Sequence, residues 1–155
     1  YALENPGRVS KLVLLGPMGI TPLGLGAMLR MMLVSMLPSD RRIEGTNRWA
    51  LGEASKVAKP YRNWFSTVLR GIGSPPRVGR PKALNGDEMS ALNMPVLLVL
   101  GDADKLVGDP SRAAGRAGSF PDIRIEIVHS GHLVGVERAD IVNQSIVEFL
   151  TSEDE

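Results

Sequence analysis

Three short apolar runs constrain this chain more than anything else in it. Lys11-Leu12-Val13-Leu14-Leu15-Gly16 and Pro95-Val96-Leu97-Leu98-Val99-Leu100-Gly101 are apolar at successive positions, without the alternation of a half-exposed strand. Such runs read as strands covered on both faces, as in a parallel sheet. Ile123-Arg124-Ile125-Glu126-Ile127-Val128 alternates instead, which predicts a strand nearer a sheet edge with one face wetter. Between the second and third runs, Asp109-Pro110 offers an aspartate N-cap with proline at the first helical position, and a helix is expected over 109–117. After the third run, residues 137–150 carry Ile141, Val142, Ser145, Ile146, Phe149 and Leu150 at helical spacing, an amphipathic helix. Strand, helix, strand, helix is the pattern of an α/β sheet with right-handed crossovers.

A chain of 155 residues is long enough for one domain with one buried core. Apolar residues at 43% and charged residues at 23% exclude disorder throughout and a fibrous repeat. No stretch repeats internally. The opening Tyr1-Ala2-Leu3-Glu4-Asn5-Pro6-Gly7 reads as a last helical turn running into a Pro-Gly turn. The middle third breaks the strand–helix rhythm. Residues 18–37 are rich in methionine and leucine, and 46–72 are expected to be helical, with Tyr61, Trp64, Phe65, Val68 and Leu69 on one stripe that reads as core. Residues 73–86 form a basic, Pro/Gly-rich connector. The longest apolar stretch, Leu23 to Leu37, contains Arg30 and is too short to span a bilayer, so no membrane span is expected.

Charge and cysteine content narrow the chemistry. Net charge is +1, but residues 39–82 hold ten Lys/Arg against three Asp/Glu, and 83–155 hold five against thirteen. The basic stretch is spread through helices and a connector, which reads as a solvated surface, and no nucleic-acid partner is expected. The terminal Ser152-Glu153-Asp154-Glu155 reads as a solvated tail. There is no cysteine, which excludes a disulfide framework, a thiolate metal site and a cysteine nucleophile, and leaves the compartment unidentified. His129 and His132 offer two ligands at i, i+3 without a third, so no metal or cofactor is expected. Tyr1 is not a start methionine and no basic-then-apolar leader comes after it; the chain reads as a piece of a longer protein.

Asp104 lies just beyond the strand ending at Leu100, and His132 just beyond the strand ending at Val128. If these strands are parallel neighbours, about 5 Å apart, both loops emerge at the carboxyl edge where open α/β sheets build their sites. An aspartate there can hold the tautomer of an imidazole that acts as general base. Asp102 competes for the acid's place, and His129, at the strand's very end, is the weaker base. The bland alternative makes Asp104 a loop cap and His132 a helix-entry residue.

These segments resemble the acid and histidine segments of the α/β-hydrolase fold: Gly101-Asp102-Ala103-Asp104 followed by Pro110, then Ser130-Gly131-His132, 28 residues after the aspartate. Tyr1 to Pro6 and Val9 to Pro17 are similar to the segment just after the nucleophile elbow in those enzymes. The resemblance implies a partial α/β-hydrolase fold with about three parallel strands, near 11–15, 96–100 and 123–128, flanking helices and a helical lid. Residues 1–17 and 91–155 would be the C-terminal part of the core, and 18–90 the cap insertion. In the order Ser, Asp/Glu, His, Asp104 matches the acid and His132 the base. The chain has no Gly-x-Ser-x-Gly, and none of its twelve serines, Ser90, Ser111 and Ser130 among them, lies on a recognisable elbow. Nucleophile and oxyanion-hole amides would therefore lie outside it.

The resemblance implies a serine-type hydrolase of small carboxylic esters, with a small-molecule substrate. A carbon–carbon bond hydrolase of aromatic breakdown is an alternative; haloalkane dehalogenase and epoxide hydrolase are further from these residues. A non-catalytic remnant binding small apolar ligands or another chain is the alternative from outside enzymology. The methionine-rich segment then either lines an adaptable pocket or packs as a buried helix. Because run 11–15 would sit at an unprotected sheet edge, a homo-oligomer or a complex with a missing N-terminal half is expected.

Overall fold

The computed structural model describes residues 1–51, 59–71 and 82–152. Three parallel strands form one sheet: β1 (Leu12–Leu15), β2 (Val96–Gly101) and β3 (Ile123–Val128), in the order β1-β2-β3. The register sets Leu12 beside Val96 and Val96 beside Ile123, so the strands end together. β2 is the middle strand and is buried at every position, as its unbroken apolar run demands. β3 has a neighbour on one side only among the described residues, and the alternation expected of it holds only in part: Ile123 and Ile125 are half-buried around an exposed Arg124, but Ile127 is exposed and Val128 buried.

Side chains of β2 alternate between two separate cores. Val96, Leu98 and Leu100 point to one face, where they meet Met89, Leu92, Ala113, Ala117 and Phe120. Leu97 and Val99 point to the other, against Val134, Val142 and Phe149. The covering helices are α4 (Gly86–Ser90) and α5 (Pro110–Ala117) on the first face, and α6 (Val134–Glu137) and α7 (Ala139–Thr151) on the second. Helix α4 starts with a capping box, in which the Asn85 side chain accepts from Glu88 N–H and Glu88 accepts from Asn85 N–H. Helix α5 starts where its sequence predicts: Asp109 accepts from Ser111 N–H at 2.9 Å and Pro110 comes next.

Other expectations need correction. The closing helix is not continuous from 137. It breaks at Arg138, whose backbone leaves the helical region and whose guanidinium donates to the His129 carbonyl. Its inward face is narrower than the apolar pattern, because Val142, Ser145 and Phe149 are buried while Ile141 and Leu150 are exposed. The opening residues make one helical-type bond, Asn5 N–H to the Tyr1 carbonyl, and then a 3-10 turn at Pro6–Arg8.

The middle third forms α1 (Leu25–Met36), α2 (Asp40–Leu51) and α3 (Lys59–Gly71). Thus the helical stretch expected at 46–72 begins at Asp40. Residues 52–58 and 72 of that stretch, 73–81 of the connector, 153–155 of the tail and the side chains of Phe65 and Leu69 lie outside the described residues. Tyr61, Trp64 and Val68 are exposed, so this part of the stripe is not core. Nor is α1 a buried helix. Only Ala27 and Val34 are buried in it, while Leu25, Met28, Leu29, Met32, Leu33 and Met36 are exposed. Val34 and Ile43, with Met31, make a small core between α1 and α2. Among the described residues no helix is long and apolar enough to cross a membrane.

The two ends of this helical stretch meet at the sheet. Leu84 N–H donates to the Gly19 carbonyl at 2.8 Å. The Arg116 guanidinium, on α5, donates to the carbonyls of both Ile20 and Leu84 at 2.7 Å. Thr21 Oγ1, buried, donates to the Val107 carbonyl.

Candidate active site

The loops after β2 and β3 leave the same edge of the sheet, since the strands are parallel and in register through Gly101 and Val128. Asp104 Oδ2 lies 2.9 Å from His132 Nδ1. A carboxylate can only accept, so Nδ1–H donates, and in the neutral ring Nε2 is the nitrogen left with its lone pair. The other Asp104 oxygen, Oδ1, accepts from Leu106 N–H at 2.8 Å and Val107 N–H at 3.0 Å. The Asp104 side chain is 1% exposed and that of His132 19%. A buried carboxylate is costly unless it is bonded, and here both oxygens are.

A second pair lies beside the first. Asp102 Oδ2 is 2.9 Å from His129 Nδ1, and Oδ1 accepts from Ser130 N–H at 3.2 Å. This pair faces water, at 42% and 84% side-chain exposure. The hydrogen bond from His129 holds the Asp102 carboxyl below its ordinary range. Backbone N–H groups of Ser130 and Ala103 help, against the opposing effect of partial desolvation. The two carboxylates that compete in sequence are thus separated in space, each with its own imidazole.

Sequence reasoning missed three contributors. Gly16, after β1, has φ +52°, and a Cβ there would lie 2.8 Å from the His132 carbonyl oxygen and 3.5 Å from Asp104 Oδ2. Gly101, at the end of β2, lies so close to the Ser130 and Gly131 carbonyls that a side chain would collide with them. Both apolar runs end in glycine, and that shared ending was the available signal. Third, Glu137 Oε2 accepts from Gly131 N–H at 2.8 Å and stands 3.2 Å from Ser130 Oγ. Nothing in the local sequence marks it. Ser130 is buried and its hydroxyl is directed at Glu137 and the Gly131 carbonyl.

Beside Asp104 opens a cavity of about 550 Å³, lined by Asp102, Asp104, Leu106 and Pro110 from the strand-end loop and by Ala27 and Trp49 from the helices. Two other cavities lie away from the pair. One, between α1 and α2, includes Arg30, Arg41 and Arg42; the other runs along the methionines of α1. Among the described residues no group of three or more Asp, Glu or His side chains is placed to hold a metal ion.

Three known proteins set this geometry in context. By sequence, the chain is 34% identical over 77 residues to the uncharacterized carboxylesterase nap of Bacillus subtilis, a match covering 48% of this chain and 25% of that protein. By structure, it superposes on the carboxylesterase CesB (YbfK) from Bacillus subtilis with a TM-score of 0.83 at 22% identity, covering 99% of this chain and 55% of that one. The naproxen esterase (carboxylesterase NP) from the same organism gives 0.80 at 22% identity, covering 97% and 54%. No family model matches the chain. Sheet, flanking helices and these likenesses define the class: the chain has an α/β-hydrolase fold, in part. In sequence it is similar to carboxylesterases, and it spans only about half the length of the solved ones.

Proposed function

We propose that this chain supplies the acid, Asp104, and the base, His132, of a Ser-Asp-His triad in a hydrolase of small carboxylic esters, with a nucleophilic serine from outside residues 1–155. The buried Asp104–His132 pair carries this reading, because its tautomer leaves Nε2 free to accept a proton. In the reaction, Nε2 takes the proton of the serine hydroxyl as its oxygen attacks the ester carbonyl carbon. The imidazolium, stabilised by Asp104, then returns that proton to the departing alkoxide. Water repeats the sequence on the acyl-enzyme, with His132 again the base. The carboxylesterase relatives favour an ester over the carbon–carbon substrates of the alternative reading.

Residues 18–90 serve as the cap in this proposal. Support comes from the tied ends at Gly19, Ile20 and Leu84, and from Ala27 and Trp49 lining the cavity beside Asp104. The free side of β1, which pairs only with β2 among the described residues, takes a further strand from a second copy or from the rest of a longer chain. Sedimentation tests this: a stable monomer at tens of micromolar would speak against a second copy.

Activity tests the central claim. The chain alone should take no fluorophosphonate label and turn over an activated ester very weakly. Fused to the nucleophile-bearing half of a carboxylesterase relative, it should gain turnover, and His132→Ala should then cost up to about a millionfold in kcat. Robust turnover by the chain alone, with label on Ser130 or Ser90, would place the nucleophile within it. A fusion that folds, takes label and is unaffected by His132→Ala would leave the non-catalytic reading.

A further inference from the structure

Resting on the reading of Asp104 and His132 as acid and base, we propose that Glu137 is a positioning residue: its carboxylate fixes the 130–131 backbone and thereby the ring of His132. Asp104 fixes only one end of that imidazole. The other determinant of where Nε2 points is the backbone of the loop that carries it, and this loop is held on three sides.

From below, the strand ends press on it. The Ser130 and Gly131 carbonyls lie against Gly101, Ala103 N–H donates to the Ser130 carbonyl at 3.0 Å, and the His132 carbonyl lies close to Gly16. On the β2 side, Asp102 accepts from Ser130 N–H. On the helix side, Glu137 Oε2 alone takes both remaining donors, Gly131 N–H at 2.8 Å and the Ser130 hydroxyl at 3.2 Å. The hydroxyl proton has a second candidate acceptor in the Gly131 carbonyl at 3.3 Å, but a carboxylate is the stronger one.

Glu137 is expensive where it stands. Its Oε1 is buried and has no hydrogen-bond partner among the described residues, a desolvation cost that an apolar side chain would not incur. Glu137 is the last residue of α6, and α7 begins only after the break at Arg138. A buried oxygen without a partner among the described residues, on a side chain that grips the histidine loop, is a local cost set against a geometric gain.

The experiment reads the His132 ring directly, so it needs no nucleophile. In the full chain carrying His129→Gln, the His132 Nδ1–H should give a low-field proton resonance that Asp104→Asn removes. Glu137→Ala should broaden or erase that resonance and speed its solvent exchange by about tenfold or more, as expected on losing a charge-assisted anchor. Far-UV circular dichroism and cooperative unfolding should be retained. If Glu137→Ala does not fold, Glu137→Gln supplies the answer. It keeps an acceptor for Gly131 N–H, and so should keep the resonance with intermediate exchange. Unchanged exchange in a folded Glu137→Ala, or in Glu137→Gln where only that variant folds, would overturn the positioning role. Absence of the resonance in the parent chain would overturn the Asp104–His132 reading itself, a distinct result.

Discussion

Leu98 on β2 and Met32 on α1 are both large apolar side chains in regular structure, yet Leu98 is fully buried and Met32 is 50% exposed. The contrast runs through their surroundings. Each face of β2 has its own helical cover, and successive side chains are shared between two closed cores. Helix α1 packs Val34 and the neighbouring Met31 against Ile43, while Leu25, Met28, Leu29, Met32, Leu33 and Met36 are exposed. Apolar content in the sheet is explained by the fold's own stability. In α1 it is not, among the described residues, and this accords with the cap proposed for residues 18–90.

The contrast can be broken by measurement. Leu98→Ala should cost about 2–5 kcal/mol in denaturant unfolding, as large-to-small changes in closed cores do. Gly16→Ala should cost about 1–3 kcal/mol, because it strains a positive φ and drives a Cβ against the His132 carbonyl. It should also disturb the His132 Nδ1–H resonance, which Leu98→Ala should leave in place. Asp102→Asn should cost at most about 1 kcal/mol near neutral pH, since the Asp102–His129 pair is well exposed. Folding lowers the Asp102 pKa from its usual 3.8, so its contribution is complete above that value and is lost as pH falls through the lower folded one. The gap between parent and variant should therefore close in strong acid, as unfolding curves at several pH values would show. Met32→Ala should change stability by no more than about 0.5 kcal/mol. A cost near that of Leu98→Ala would mean that α1 is covered in solution, and the comparison would fail.

Much of the sheet was legible because its signal is local. An unbroken apolar run such as Val96–Leu100 admits few readings, and Asp109-Pro110 states a helix start in two residues. The Asp104–His132 approach was legible for a different reason: parallel strands in register deliver their loops to one edge. What escaped depends on distant partners. Arg138 leaves the helical region because of a loop that folds back on it, and no property of Arg138 announces this. Trp64 looks like core by spacing, but spacing defines a face without saying whether anything meets it. Glu137 joins the site through backbone donors, and those carry no sequence signature.

Arg116 has a consequence for how such a chain can change. By holding the Ile20 and Leu84 carbonyls with one guanidinium, it brings the two ends of the helical stretch to a common point on α5. Seen from the sheet, everything between them is a loop already closed, and closing a longer or shorter one differs by only about 0.6 kcal/mol per doubling of length. The intervening helices can therefore be lengthened, exchanged or rebuilt while Asp104 and His132 at the strand ends stay where they are. The staple makes the region a replaceable part.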